Sequence, residues 1–215
     1  MKDTVLVICA HPDDEILGAG GTIAKYTQEG KDVITVIFSY GEASHWWLKE
    51  KYTKEMRQKE CLEAGKVVGT KETVFLGFAD LKLSEEIKDK KNIKRLRDII
   101  KKYDPKRIFT HSLDDAVYQD HVAVHNAVMQ AVKGMHYKGD VYLFNVWGKD
   151  IRLSKNPKLY VDIKDTFKLK RQALSKFKSQ TLALLQLMPT VYYKAIRYGL
   201  ENRSRFAERF IKMEI

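Results

Sequence analysis

An α/β fold, a mostly parallel sheet covered by helices on both faces, is what this sequence predicts. Over residues 1–150, apolar β-branched runs alternate with longer segments of helical periodicity. The strand runs are continuously apolar, as strands covered on both faces are. Gly30, Gly69 and Pro105 fall between the runs, where helices stop and chains turn.

Residues 5–9 (VLVIC) read as a buried strand and residues 15–28 as a helix, ended by Gly30 in the left-handed stop position. Residues 33–38 (VITVIF) form a second strand, 52–68 a helix closed by Gly69, and 73–76 a short third strand. Residues 85–103 predict a basic amphipathic helix with Ile93, Leu96, Ile99 and Ile100 on one face. Pro105 separates it from a strand at 107–111, which is followed by a helix at 120–133 and a strand at 140–147. Beyond Gly148 the pattern changes to a short strand at 159–163 and helical segments at 165–187 and 190–215, broken at Pro189. Sixty-five residues make a marginal core of their own. Residues 151–215 are therefore expected to elaborate the same single domain, 1–215.

Composition excludes several classes. Hydrophobic residues at 44% and aromatics at 11% rule out a disordered tail. Two cysteines, Cys9 and Cys61, make neither a disulfide framework nor a Cys-rich zinc module, which points to a reducing, cytoplasmic setting. The first ten residues are too short and too soon acidic for a signal peptide. The late apolar stretch at 182–200 carries Pro189, Lys194 and Arg197, so no membrane span is expected. The formal charge of +11 divides unevenly, +1 over residues 1–150 and +10 over 151–215. A uniformly basic nucleic-acid binder would not divide its charge so. The charge fits a solvated helical face, or a surface that draws in an anionic substrate or rests on an acidic lipid surface.

Ligands of α/β sheets bind at the carboxyl ends of strands. The first strand ends in His11-Pro12-Asp13-Asp14-Glu15, the second near Ser39 ahead of Glu42 and His45, and the fourth at Thr110-His111, before Asp120-His121. Taken alone, HPDD could be a helix start with Asp13 and Asp14 as caps. His121 and His125 share a helix face, and spacing does not choose between them. Gly18, Gly20 and Gly21 lie inside the helix, past the turn a dinucleotide fingerprint requires, and suit close packing instead. A His and an Asp three apart, with a distant His, compose a 2-His-1-carboxylate site with open positions. Asp13 is then left to take a proton from activated water.

AHPDDE at residues 10–15, followed by LGAGGTIAKY, closely resembles the opening motif of the LmbE-like or PIG-L N-acetylglucosaminyl deacetylase family. Ser39-Tyr-Gly-Glu42, the pattern Arg57, Glu60, Ala64, Gly69, the block Leu76-Gly-Phe-Ala-Asp80 and Tyr118-Gln-Asp-His121 resemble its later blocks, and Ser179-Gln180 and Ala207-Glu208-Arg-Phe210 its C-terminal ones, so the likeness spans nearly the whole chain. It implies a Rossmann-like, homo-oligomeric zinc hydrolase that removes acetyl from an N-acetyl sugar. His11, Asp14 and His121 would hold one zinc and Asp13 would be the base. Asp120 would stand behind the ligands, and Arg57 would hold the sugar or a group on it. Tyr118 stands where family members often carry a His that steadies the oxyanion or acts as acid. Tyr118 would donate to the oxyanion as a weaker proton donor, and the proton would travel through Asp13 alone or His45 would fill the role. Two rivals remain: a 2-His-1-carboxylate iron enzyme, and a non-catalytic nucleotide or nucleic-acid binding module using the basic last third.

Overall fold

The computed structural model describes residues 3–45, 47–115, 119–148 and 155–215. Seven strands form one sheet in the order β3-β2-β1-β4-β5-β7-β6. They are β1 (Thr4–Cys9), β2 (Asp32–Ser39), β3 (Glu72–Phe78), β4 (Arg107–His111), β5 (Asp140–Phe144), β6 (Lys158–Asp162) and β7 (Ala207–Met213). β1 to β5 run parallel, while β7 pairs antiparallel with both β5 and β6. The helices are α1 (Asp14–Gln28), α2 (Glu50–Val68), α3 (Leu83–Glu86), α4 (Lys90–Tyr103), α5 (Gln119–Gly134), α6 (Phe167–Leu174) and α7 (Thr181–Glu201).

Strand alternation separates two cores. Val5, Val7 and Cys9 face α1, α2, α6 and α7, whereas Leu6 and Ile8 face α3, α4 and α5. The predicted layers are thus present. The order in which strands are added reverses between β1 and β4, the switch point at which open α/β sheets leave a crevice.

Several expectations change. The segment predicted as helix at 165–187 is α6 and the start of α7, with a 3₁₀ turn at Lys178–Gln180 between them. The helix predicted at 85–103 is two helices, because the Asp89 carboxylate accepts from the Lys91 N–H and starts α4 anew. The strand predicted at 140–147 stops at Phe144. Pro189 does not break α7, since it lies on the exposed face with Leu185, where water can take the carbonyl its missing N–H would have met. The last stretch is strand, not helix. Ala207, Phe210 and Ile211 are buried in β7, and the Glu208 carboxylate accepts from the Gly21 and Thr22 N–H groups and the Lys170 ammonium. Lys170 is therefore an inward group, bonded also to the Leu17 carbonyl, rather than part of a solvated basic face.

Candidate metal centre

The site sits at the switch point, on the turns leaving β1 and β4. The Ala10 carbonyl accepts from Ser39, and its N–H reaches Nε2 of His111 at 3.2 Å, which ties the HPDD turn to both neighbouring strands. Asp14 opens α1, where a negative side chain suits the helix N-terminus, and its Oδ2 accepts the His11 N–H at 2.9 Å. Asp13 occupies the N-cap position but its side chain caps nothing. It holds φ at +107°, a costly conformation for a non-glycine residue. Its N–H is held by Glu15 at 3.0 Å, and its carboxylate by the Arg57 guanidinium at 3.2 Å. The capping reading of HPDD thus accounts for Asp14 and not for Asp13.

His11, Asp14 and His121 converge, with their ligand atoms within 4.8 Å of one another. Nε2 of His121 lies 3.4 Å and Nδ1 of His11 lies 3.7 Å from the Asp14 Oδ2. The far nitrogen of each imidazole is taken by a carboxylate. His11 Nε2 donates to Asp80 at 2.9 Å and lies 3.3 Å from Asp120. His121 Nδ1 donates to Asp115 at 2.9 Å. A ring fixed in this way presents its remaining lone pair to a cation, the arrangement metal-binding histidines show. Two imidazoles and one carboxylate also leave positions open, so the donor set fits a catalytic divalent metal, zinc included.

Charge agrees with geometry. Burial opposes a proton on His11, but its hydrogen bonds to the Asp120 and Asp80 carboxylates push its pKa up to about 9. On His121 burial is likewise outweighed, by the charge of Asp14 and the Asp115 hydrogen bond, to about 10. The pocket therefore calls for positive charge among its carboxylates. Burial pushes Asp13 up to about 7, against Arg57 and with Asp14 adding to it. That places a proton acceptor near neutrality.

His125 points away, donating from Nδ1 to the His111 carbonyl at 2.8 Å, and the structure thereby separates the two helical histidines. Asp120 braces His11 and accepts the Leu81 N–H at 2.9 Å. Arg57 is buried, its other bonds going to the carbonyls of Gly41 and Pro12, and it lines the cleft beside Asp13. His45 stands apart from the metal cluster, between Ser44 Oγ at 2.9 Å and the Ser179 carbonyl at 3.2 Å. Tyr118 lies outside the described residues.

Sequence reasoning missed Asp80 and Asp115 as site residues. It also missed the wall that α7 and the β5 exit supply: Ala183, Leu184, Leu187 and Trp147 close one side of a cleft of about 240 Å³ over the cluster. Leu76-Gly-Phe-Ala-Asp80 was visible as a block, but nothing in it marked the acid as a partner of His11.

Comparison with known proteins agrees with this geometry. The family described as "PIG-L: GlcNAc-PI de-N-acetylase" matches residues 6–132. A probable N-acetyl-alpha-D-glucosaminyl L-malate deacetylase 2 of Bacillus cereus is 31% identical over 193 residues, covering 86% of this chain and 87% of that one. Among solved structures, an N,N'-diacetylchitobiose deacetylase from Pyrococcus horikoshii superposes with a TM-score of 0.81 at 25% identity, over 98% of this chain and 84% of that one. A 4-carboxy-2-hydroxymuconate hydratase from Pseudomonas putida gives 0.84 at 23% identity, over 100% and 97%, a likeness of fold. The family match takes in the whole His-Asp constellation, from His11 to His121, and on that ground the chain belongs to the PIG-L family.

Proposed function

We propose that this protein is a zinc-dependent N-deacetylase acting on an N-acetylated amino sugar. The observation that carries the reading is Asp13: an N-cap residue whose carboxylate ignores the helix, is braced by Arg57, and lies beside a His-Asp-His cluster with carboxylate-backed imidazoles. The family and the named activities of the relatives support the reaction class.

Held by His11, Asp14 and His121, zinc would supply a water of lowered pKa and Lewis acidity toward the acetyl oxygen. The chain's own residues do the rest. Asp13 takes a proton from the water as its oxygen bonds to the amide carbon, and passes that proton to the nitrogen as the carbon–nitrogen bond breaks. Acetate and a free amine leave. Asp80, Asp120 and Asp115 keep both imidazoles oriented throughout. Arg57 holds the Asp13 carboxylate without taking its place, and the apolar wall at Trp147 and Leu184 suits the carbon-rich face of a sugar ring.

Chelator-stripped protein, reloaded with zinc and offered a panel of N-acetylated sugars, should release acetate only after reloading. Asp13→Asn should keep the metal and lose about 10²–10⁴-fold in rate. Near-normal turnover in that variant removes Asp13 from the role. The hydratase likeness gives the panel a further arm. If the reloaded protein instead adds water to an unsaturated tricarboxylic acid of the carboxymuconate type and releases no acetate from any sugar, the reaction is hydration.

A further inference from the structure

The outer face of α7 is apolar from end to end. Leu182, Leu185, Pro189, Tyr193, Ile196 and Leu200 are all exposed, Leu182 to 80% and Leu200 to 75%. At 100° per residue these six fall within an arc of about 80°. The opposite arc, Leu184, Leu187, Val191, Ala195 and Tyr198, is buried, with Leu184 and Leu187 at the cleft over the metal cluster. The helix already buries one apolar face in the core, and its second runs about 27 Å along the surface, exposed among the described residues. Exposed large apolar groups scattered singly are ordinary, but a continuous strip is not.

The surroundings of the strip say what it meets. Leu185, Met188 and Tyr192 form one side of an open groove of about 650 Å³, and Lys168 and Arg171 of α6 form the other. Between residues 164 and 205 stand ten lysines and arginines against two acids, Asp165 and Glu201. Two of the ten, Lys170 and Lys194, turn inward to backbone carbonyls. Lys164, Lys168, Arg171, Lys178, Arg203 and Arg205 are exposed.

We propose that α7, with the cations of α6 and of the turn after α7, docks on an anionic lipid bilayer surface. Leucines and Ile196 would enter the acyl boundary to a depth of about 5–10 Å while the cations stay among the headgroups. No helix among the described residues is long and apolar enough to cross a membrane, so this contact lies along the surface. A second copy of the chain is the poorer occupant. In a two-fold contact it would set one cationic flank against another.

The test uses the full chain and two vesicle preparations, phosphatidylcholine alone and phosphatidylcholine with about a third phosphatidylglycerol. Co-sedimentation should be about tenfold stronger with the anionic vesicles and should weaken as salt rises. Leu182→Ser with Leu185→Ser, and separately Lys168→Glu with Arg171→Glu, should each lower partitioning about tenfold or more, with circular dichroism and thermal midpoint unchanged. Tyr193→Trp should give a fluorescence blue-shift on adding anionic vesicles. Equal sedimentation with both preparations, or none with either, overturns the proposal. So does a dimer seen by light scattering that the Leu182→Ser, Leu185→Ser pair dissolves, because the strip then belongs to a second copy.

Discussion

Asp115 links the metal cluster to the sheet's outer half. Its carboxylate is buried and accepts from Nδ1 of His121 at 2.9 Å, Nδ1 of His111 at 3.3 Å, and the N–H groups of Val146 at 3.0 Å and Trp147 at 2.8 Å. Burial opposes its charge, yet the His111 and His121 hydrogen bonds hold it well below the usual carboxylate range. Behind it, the Lys194 ammonium donates to the carbonyls of Asn145 and Val146, so a cation from α7 steadies the loop whose N–H groups hold Asp115. All these partners of Asp115 are donors, so an amide in its place would turn one NH₂ toward an N–H. The expected consequence of Asp115→Asn is a fall of about 10–100-fold in affinity for zinc, read by competition with a chromophoric chelator. An unchanged affinity would mean that His121 holds its orientation without this carboxylate. In the sequence Asp115 is one of two adjacent acids in a loop, and only the fold shows which of them turns inward.

Among the elements, α1 packs most tightly where it meets the end of β5 and the turn after β6. A Cβ on Gly18 would fall 2.3 Å from Phe144 Cδ2, and one on Gly21 would fall 2.7 Å from Ile163 Cδ1 and 2.9 Å from its Cβ. Gly21→Ala gains about 1 kcal/mol of helix propensity, but overpacking against branched Ile163 costs about 1–3 kcal/mol, and Ile163 sits on buried backbone that yields little. A lower thermal midpoint is expected, while a midpoint equal to or above that of the parent would show that α1 and the β6–α6 turn can move apart. Close packing at these glycines was legible in the sequence, because they lie inside a helix and cannot serve as a phosphate turn. Their partners were not: periodicity finds β5 and β6 without saying that Phe144 and Ile163 meet these glycines, and β7, which supplies Glu208, was read as helix. In AERFIKM, Glu208 and Arg209 look like solvent positions, yet Glu208 is buried on two backbone N–H groups of α1, and Arg209 lies over Tyr198 with its guanidinium carbon 4.3 Å from the ring centroid. Buried charges satisfied by distant partners carry no periodic signal. The parallel half of the sheet needs no such partners, and its apolar runs declare it.

Across the whole molecule, the metal cluster draws on the β1 exit, the start of α1, the loops after β3 and β4, and α5. These segments come from residues 11 to 121 and include both sides of the switch point. A cation bound there stabilises the folded chain as a unit, because the unfolded chain scatters the same ligands. At free zinc one hundredfold above its dissociation constant the gain is about 2.7 kcal/mol. For a chain of this length that corresponds to a rise of roughly 5–10 °C in thermal midpoint. His121→Ala removes a ligand and should abolish the rise. His125→Ala removes a group bonded only to the His111 carbonyl among the described contacts. It should lower both midpoints, with and without zinc, and leave the difference between them intact. Scanning calorimetry of the three proteins, each stripped and reloaded, separates a ligand from a neighbour without reference to turnover. A zinc-dependent rise that survives His121→Ala and disappears in His125→Ala would assign the metal to the other histidine of that helix.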